Sequence, residues 1–207
     1  MLLKRPATIQ LQDGLFVPEG ANLDEVDWRW EKLCEQNPAC FDGALLHVLG
    51  TQRNGCGGAT LHVMECSYRF FAVQNSTYDL GVRSLGTKGI TSFEELFLFG
   101  ERSDAVLRHA GEWEFAPAGC VEPNRNPLDV IKKELSEETG LTLATPPLAV
   151  ALLFDEIAMT WELVYRLYAT SNKISGNAEY KQLKWLKKCE FPEVPSGITT
   201  MMLPYAC

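Results

Sequence analysis

Apolar and polar positions along this chain change period several times, and each change marks an element. Residues 7–17 (ATIQLQDGLFV) alternate on both sides of Asp13-Gly14, which predicts two short strands around a turn. Asn22 stands as an N-cap, and Leu23, Val26, Trp30, Leu33 and Cys34 repeat at helical spacing until Asn37-Pro38 ends the run. Trp28 lies off that stripe. Phe41 to Gly50 and Ala59 to Cys66 predict a strand pair joined by RNGCGG. That loop lacks the Gly-Lys-Ser/Thr ending and the following helix of a phosphate-binding loop, so a hairpin connection is expected. Tyr68 to Asn75 reads as a strand, and the Gly-rich stretch from Gly81 to Gly89 as a crossing. Phe93 to Phe99 is nearly continuous apolar sequence, as in a buried central strand. Leu148 to Phe154 and Leu163 to Thr170 predict two more buried strands, and Gln182 to Lys187 a half-buried one. The tail from Phe191 contains three prolines and carries no readable pattern.

Between these strands lies one long predicted helix with well-formed ends. Asn126 is a good N-cap, Pro127 suits the first helical position, and Asp129 complements the helix dipole. Gly140 is placed to leave the helix in a left-handed conformation, with Leu141 folding back as the apolar contact. Leu128, Ile131 and Leu135 form the core stripe. Glu134, Glu137 and Glu138 crowd the adjoining face, where like charges repel. A divalent cation would turn that repulsion into attraction, since hard cations take carboxylate oxygens.

The stretch from Gly119 to Leu141 resembles the Nudix box, G-x5-E-x7-R-E-U-x-E-E-x-G-U, where U is a bulky aliphatic residue. Gly119, Glu134, Leu135, Glu137, Glu138, Gly140 and Leu141 fill their slots. Arg125 stands where the pattern has its first Glu, and Lys133 where it has Arg. Upstream, GEWEFAPAG (Gly111 to Gly119) is similar to the strand and loop that lead into such a box. Trp30 to Val48, SYRFFAVQN and LFGERSDAV resemble the N-terminal half of Nudix hydrolases that act on UDP-glucose and UDP-galactose.

The resemblance implies an α/β Nudix fold, a mixed β-sheet between helices, preceded by a β-rich N-terminal region. The expected division is residues 1–88 and 89–207. It also implies a Mg²⁺-dependent pyrophosphohydrolase, with Mn²⁺ as an alternative ion, cleaving a UDP-sugar to UMP and a sugar 1-phosphate. Glu134 and Glu138 become the principal metal ligands, with Glu137 as a further ligand or water-orienting group and the carbonyl of Ala118 or Gly119 as another. A later carboxylate completes many such sites as ligand or base; Glu179 is the first candidate and Glu156 the second. Arg102 is a candidate for the substrate phosphates, because a guanidinium fork matches their oxygens. A nucleotide-sensing module that cleaves nothing is the competing expectation, motivated by Arg125 and Lys133.

Composition narrows the partners. In 207 residues, 46% apolar and 22% charged are ordinary globular values. A net charge of −8 with no lysine- or arginine-rich run argues against nucleic acid and anionic membranes as partners. No apolar run approaches the roughly 20 residues that span a bilayer. Seven cysteines without a C-x-x-C pair read as reduced thiols in a cytoplasmic protein, and zinc ligation is not expected. His47, His62 and His109 are scattered and read as strand or loop residues. A monomer or homodimer acting on a small-molecule nucleotide is the expectation that results.

Overall fold

One strand, β4 (Ser84–Phe93), pairs with four others and holds the two halves of the chain together. In the computed structural model of the protein, residues 1–37, 40–104, 106–176, 178–193 and 195–206 are described. Before β4 come β1 (Thr8–Phe16), α1 (Leu23–Gln36), β2 (Ala44–Arg53), β3 (Ala59–Ser67) and α2 (Tyr68–Ala72). After it come β5 (Leu96–Arg102), β6 (Trp113–Phe115), β7 (Ala118–Cys120), α3 (Pro127–Thr139), β8 (Leu148–Asp155), β9 (Thr160–Tyr168), β10 (Tyr180–Lys187) and α4 (Gly197–Met202). The main path of the sheet runs β1-β3-β2-β4-β5-β10, and β4 also carries β7 and the β9–β8 pair.

β4 and β9 run parallel in unbroken register from Ser84↔Thr160 to Ser92↔Tyr168. Their side chains alternate between two apolar clusters, as the period of a strand requires. Leu85, Leu163, Tyr165 and Leu167 join Ile131 and Leu135 of α3. Ile90 and Val164 join Ile198 and Met202 of α4. Helices therefore cover both faces of a mixed sheet, the architecture expected from the sequence. A third cluster, with Val26 of α1, Leu45, Cys66, Phe70 and Val82, seats the N-terminal helices.

Several elements differ from their sequence reading. Residues 8–16 form one strand, because both parts pair in the same direction with β3; Asp13-Gly14 is absorbed as an irregularity between Gln12 and Leu15. YRFFA is a short helix, α2, fastened by the Asp42 carboxylate, which accepts from Ser67 Oγ and the Arg69 N–H at 2.7 and 2.9 Å. The Gly-rich crossing is most of β4 itself. Phe93 ends β4, and the next strand starts at Leu96 after a two-residue turn with Glu94 at φ 54°. The expected division at residue 88 falls in the middle of β4, whose Ser84 meets His47 of β2 while Lys88 meets Ala118 of β7. Asn37 caps α1, whereas Pro38 lies outside the described residues.

The tail contains α4, capped by Ser196 Oγ accepting from the Thr199 N–H at 3.3 Å. Cys34, Cys40, Cys56, Cys66, Cys120 and Cys189 are free thiols, and Cys207 lies outside the described residues. Among the described residues no helix is long and apolar enough to cross a membrane.

Candidate active site

The helix α3 forms where its caps place it. Asn126 Oδ1 accepts from the Leu128 N–H at 2.9 Å, Pro127 occupies the first turn, and Gly140 leaves at φ 68°. Val130, Ile131 and Leu135 are buried and turn the helix so that Glu134 and Glu138, one turn apart, face the strand β7. Glu138 is only 1% exposed. Its Oε2 accepts from the Ala118 N–H at 3.2 Å and from the Tyr180 hydroxyl at 3.0 Å. Its Oε1 is buried and has no partner. An unspent carboxylate oxygen in such a place costs free energy unless something else engages it.

Electrostatics says the same of the whole cluster. Burial, then the charge of Glu179, push the Glu138 carboxyl up to about 9. Burial also raises Glu134, with Lys133 opposing and Glu137, Glu179 and Glu122 adding to the rise. Glu134 packs against Gly119, where an added Cβ would lie 2.4 Å from Glu134 Cγ. The glycine is required for close approach of backbone and carboxylate. Glu137 does not share this face. About 60° around the helix from Glu134, on the side away from Glu138, it is exposed and its Oε2 sits 2.9 Å from Lys133 Nζ.

Glu179, between β9 and β10, comes within range of Glu134 and Glu138 and ion-pairs with Arg102 Nη1 at 2.9 Å. Glu156 is exposed in the β8–β9 turn and is not among the charges acting on Glu134 or Glu138. Arg102, expected to meet substrate phosphates, is instead occupied by protein carboxylates. Its Nε stands 3.3 Å from Glu114 Oε1, its Nη1 holds Glu179, and its guanidinium lies 5.6 Å from the Tyr180 ring centre. Arg125 pairs loosely with Glu122 at 3.8 Å, both exposed.

Behind these residues runs a buried ionic network that the sequence reading did not contain. Lys88 Nζ meets Glu114 Oε2 at 2.6 Å, with side chains 6% and 1% exposed. Glu162, opposite Gly86, is buried with an unpartnered Oε2, and burial raises it to about 7 against the pull of Lys88. His109 Nε2 lies 2.7 Å from Asp155 Oδ2, and its Nδ1 lies 2.9 Å from Glu112 Oε2. A period-two reading of residues 84–93 and 160–168 would have placed Lys88 and Glu162 on a common face.

The donor set suits a hard divalent cation: Glu134 and Glu138 side by side, an unpartnered buried Oε1, and Glu179 close by. As placed, no three His, Cys, Asp or Glu side chains among the described residues are grouped to enclose an ion. Glu137 and Glu179 rest on Lys133 and Arg102 instead.

No family model matches the sequence, and no curated protein matches it. Among solved structures, the MutT NUDIX hydrolase from Burkholderia pseudomallei superposes with a TM-score of 0.51 at 20% identity, covering 58% of this chain and 95% of that one. The MutT protein from Methanosarcina mazei Go1 superposes with a TM-score of 0.50 at 18% identity, covering 58% and 91%. This chain has the Nudix fold. The stretch that resembles the Nudix box begins in β7 and runs through α3.

Proposed function

We propose that this protein is a divalent-metal-dependent Nudix pyrophosphohydrolase, acting on a nucleoside diphosphate joined to another group. A UDP-sugar is the substrate class that the N-terminal sequence blocks favour; water would divide it into UMP and a sugar 1-phosphate. The observation that carries the reading is Glu138, buried, with an unspent Oε1 beside Glu134 and within range of Glu179. Glu134 and Glu138 would hold Mg²⁺ or Mn²⁺, with the carbonyl of Ala118 or Gly119 and a reoriented Glu137 as further ligands. Such an ion, when bound, offsets pyrophosphate charge and lowers the pKa of a water. Glu138 must give up its proton before it can ligate, so ion binding releases a proton. Arg102 acts as a positioning residue that steers Glu179 toward the α3 glutamates, and Glu179 takes the proton of the attacking water.

The test is a panel of UDP-glucose, UDP-galactose, ADP-ribose, NADH, diadenosine polyphosphates and 8-oxo-dGTP, assayed with Mg²⁺, with Mn²⁺ and with a chelator. The UDP-sugars are expected to show the highest kcat/KM, with no turnover in chelator. Cleavage that persists in chelator overturns the metal assignment, and inert UDP-sugars beside efficient ADP-ribose cleavage overturn the substrate class. Gly119→Ala is expected to lower kcat at least about tenfold, or roughly 1.4 kcal/mol of barrier, because the methyl displaces Glu134. Parental kcat in that variant would show that Glu134 need not lie against the loop.

The ion pair between Lys133 and Glu137 favours a second reading, a module that binds nucleotide without cleaving it. The pair is exposed, and such pairs are worth roughly 0.2–1 kcal/mol, so it is readily given up. Arg125→Glu with Lys133→Arg is therefore expected to change kcat by less than about tenfold. An inert natural protein with an active double variant would decide for the binding module.

A further inference from the structure

Between α1, the end of α2 and the segment before β6 lies a groove of about 370 Å³, lined by Trp28, Lys32, Leu33, Gln74, Leu107 and Arg108 among others. Arg29 also lines it, so among the described residues three cations and no Asp or Glu face the space, in a chain whose net charge is −8. Arg29 and Lys32 have their own carboxylates, Glu25 and Glu35, at 2.8 and 2.7 Å. Arg108 is different. Its Nη2 donates to the Gln74 carbonyl at 2.7 Å and its Nη1 to the Leu107 carbonyl at 3.5 Å, while its Nε is buried without a partner. Among the described residues no carboxylate ion-pairs with it; Asp155 acts on it from a distance but is held by His109.

A half-buried guanidinium held by two neutral carbonyls, with the Phe71 ring centre 5.7 Å away, is a costly arrangement that an anion relieves. Its planar fork matches phosphate oxygens. The remaining walls suit a ring. Trp28 is 57% exposed on the groove wall, off the core stripe of α1, with Leu33 and Leu107 as further apolar lining. Gln74 is 1% exposed, donates Nε2 to the Val82 carbonyl at 2.7 Å, and keeps a buried Oε1 without a partner. That oxygen is an acceptor for an N–H of a base, the uracil ring N–H or the adenine amino group.

We infer that this groove binds a nucleoside phosphate, with the phosphate on Arg108 and Lys32 and the base against Trp28. The inference stands apart from the catalytic reading, since it uses none of the carboxylates of α3 and needs no metal. Isothermal titration with UMP and AMP in the presence of a chelator tests it, with inorganic phosphate and uridine as the two halves of the ligand. UMP or AMP is expected to bind more tightly than either half. Arg108→Gln should weaken nucleotide binding at least about tenfold, the scale of a charge-assisted hydrogen bond. Trp28→Ala should do so by a similar factor, the scale of one stacked base, without changing phosphate binding. Lys32→Gln, an exposed change that leaves the fold intact, should cost about two- to threefold, and Lys173→Gln on the β9–β10 loop should cost nothing. Unchanged affinity in both Arg108→Gln and Lys32→Gln overturns the site, as does the absence of nucleotide binding in chelator. Phosphate binding as tightly as UMP overturns the assignment of the base.

Discussion

Glu138→Gln is expected to reduce turnover at least a hundredfold, about 2.7 kcal/mol of barrier, while the metal-free fold becomes no less stable. The amide keeps the shape of the carboxyl and removes the charge that a ligand to Mg²⁺ must carry. Stability moves the other way because Glu138 is held at about 9, far above its ordinary 4.5. Below pH 4.5 the group is protonated in both folded and unfolded chains and contributes nothing. Between 4.5 and about 9 the unfolded chain has lost a proton that the folded chain keeps, so stability falls as pH rises. Above about 9 the whole penalty is present. Thermal melts in chelator at pH 5, 7 and 9 should therefore decline less steeply for Glu138→Gln than for the parent. Glu162, raised to about 7, adds the same sign over the lower part of the window and is shared by both proteins. Added Mg²⁺ should stabilise the parent and leave the variant little changed. Parental turnover in saturating Mg²⁺ would remove Glu138 from the metal site, and equal pH slopes would mean that its carboxyl is not held high in the folded chain.

Lys88→Met is expected to cost about 3–5 kcal/mol, the penalty for leaving a buried charge without its partner. Burial pulls Lys88 down, but Glu114 and Glu162 outweigh it and keep the ammonium charged. Burial likewise pushes Glu114 up, and Lys88 and Arg102 outweigh it. Without the lysine, Glu114 retains Arg102 at 3.3 Å and the weaker pull of His109, and Glu162 loses its strongest opposing charge. In a chain of this length each kcal/mol moves the midpoint by about 2–4 °C, so the melt should fall by roughly 6–20 °C. Adding Glu114→Gln to Lys88→Met should recover part of that loss. A loss under about 1 kcal/mol would mean that water reaches the pair and screens it.

What was legible in the sequence was what is decided locally. The caps Asn126, Pro127 and Gly140 fix α3 from a few neighbouring positions, and the placing of Glu134 and Glu138 toward β7 follows from its turn. The strand β4 was hidden by its own glycines, which are there for distant partners. A Cβ at Gly86 would lie 2.5 Å from a Glu162 oxygen, and one at Gly89 would lie 2.5 Å from Leu167 and 2.7 Å from Pro117. The network of Lys88, Glu114 and Glu162 was legible only in part, since its members come from three strands and period-two alternation gives a face but not a partner. Arg102 looked available for phosphate because nothing nearby in sequence announces Glu114 or Glu179 as its partners. Glu137 fits the sequence pattern yet turns outward, because the apolar stripe of Val130, Ile131 and Leu135 sets the rotation of the whole helix.

The position of β4 also bears on how the molecule opens. It pairs with β2 on the N-terminal side and with β5, β7 and β9 on the other, and residues 84–91 are all buried. Neither half can separate from it without breaking hydrogen bonds in the centre of the sheet. Its amides should thus be among the slowest to exchange with solvent, opening only when the entire chain does, while the largely exposed strand β1 exchanges through local fraying. The N-terminal layer and α3 would then melt in a single cooperative transition.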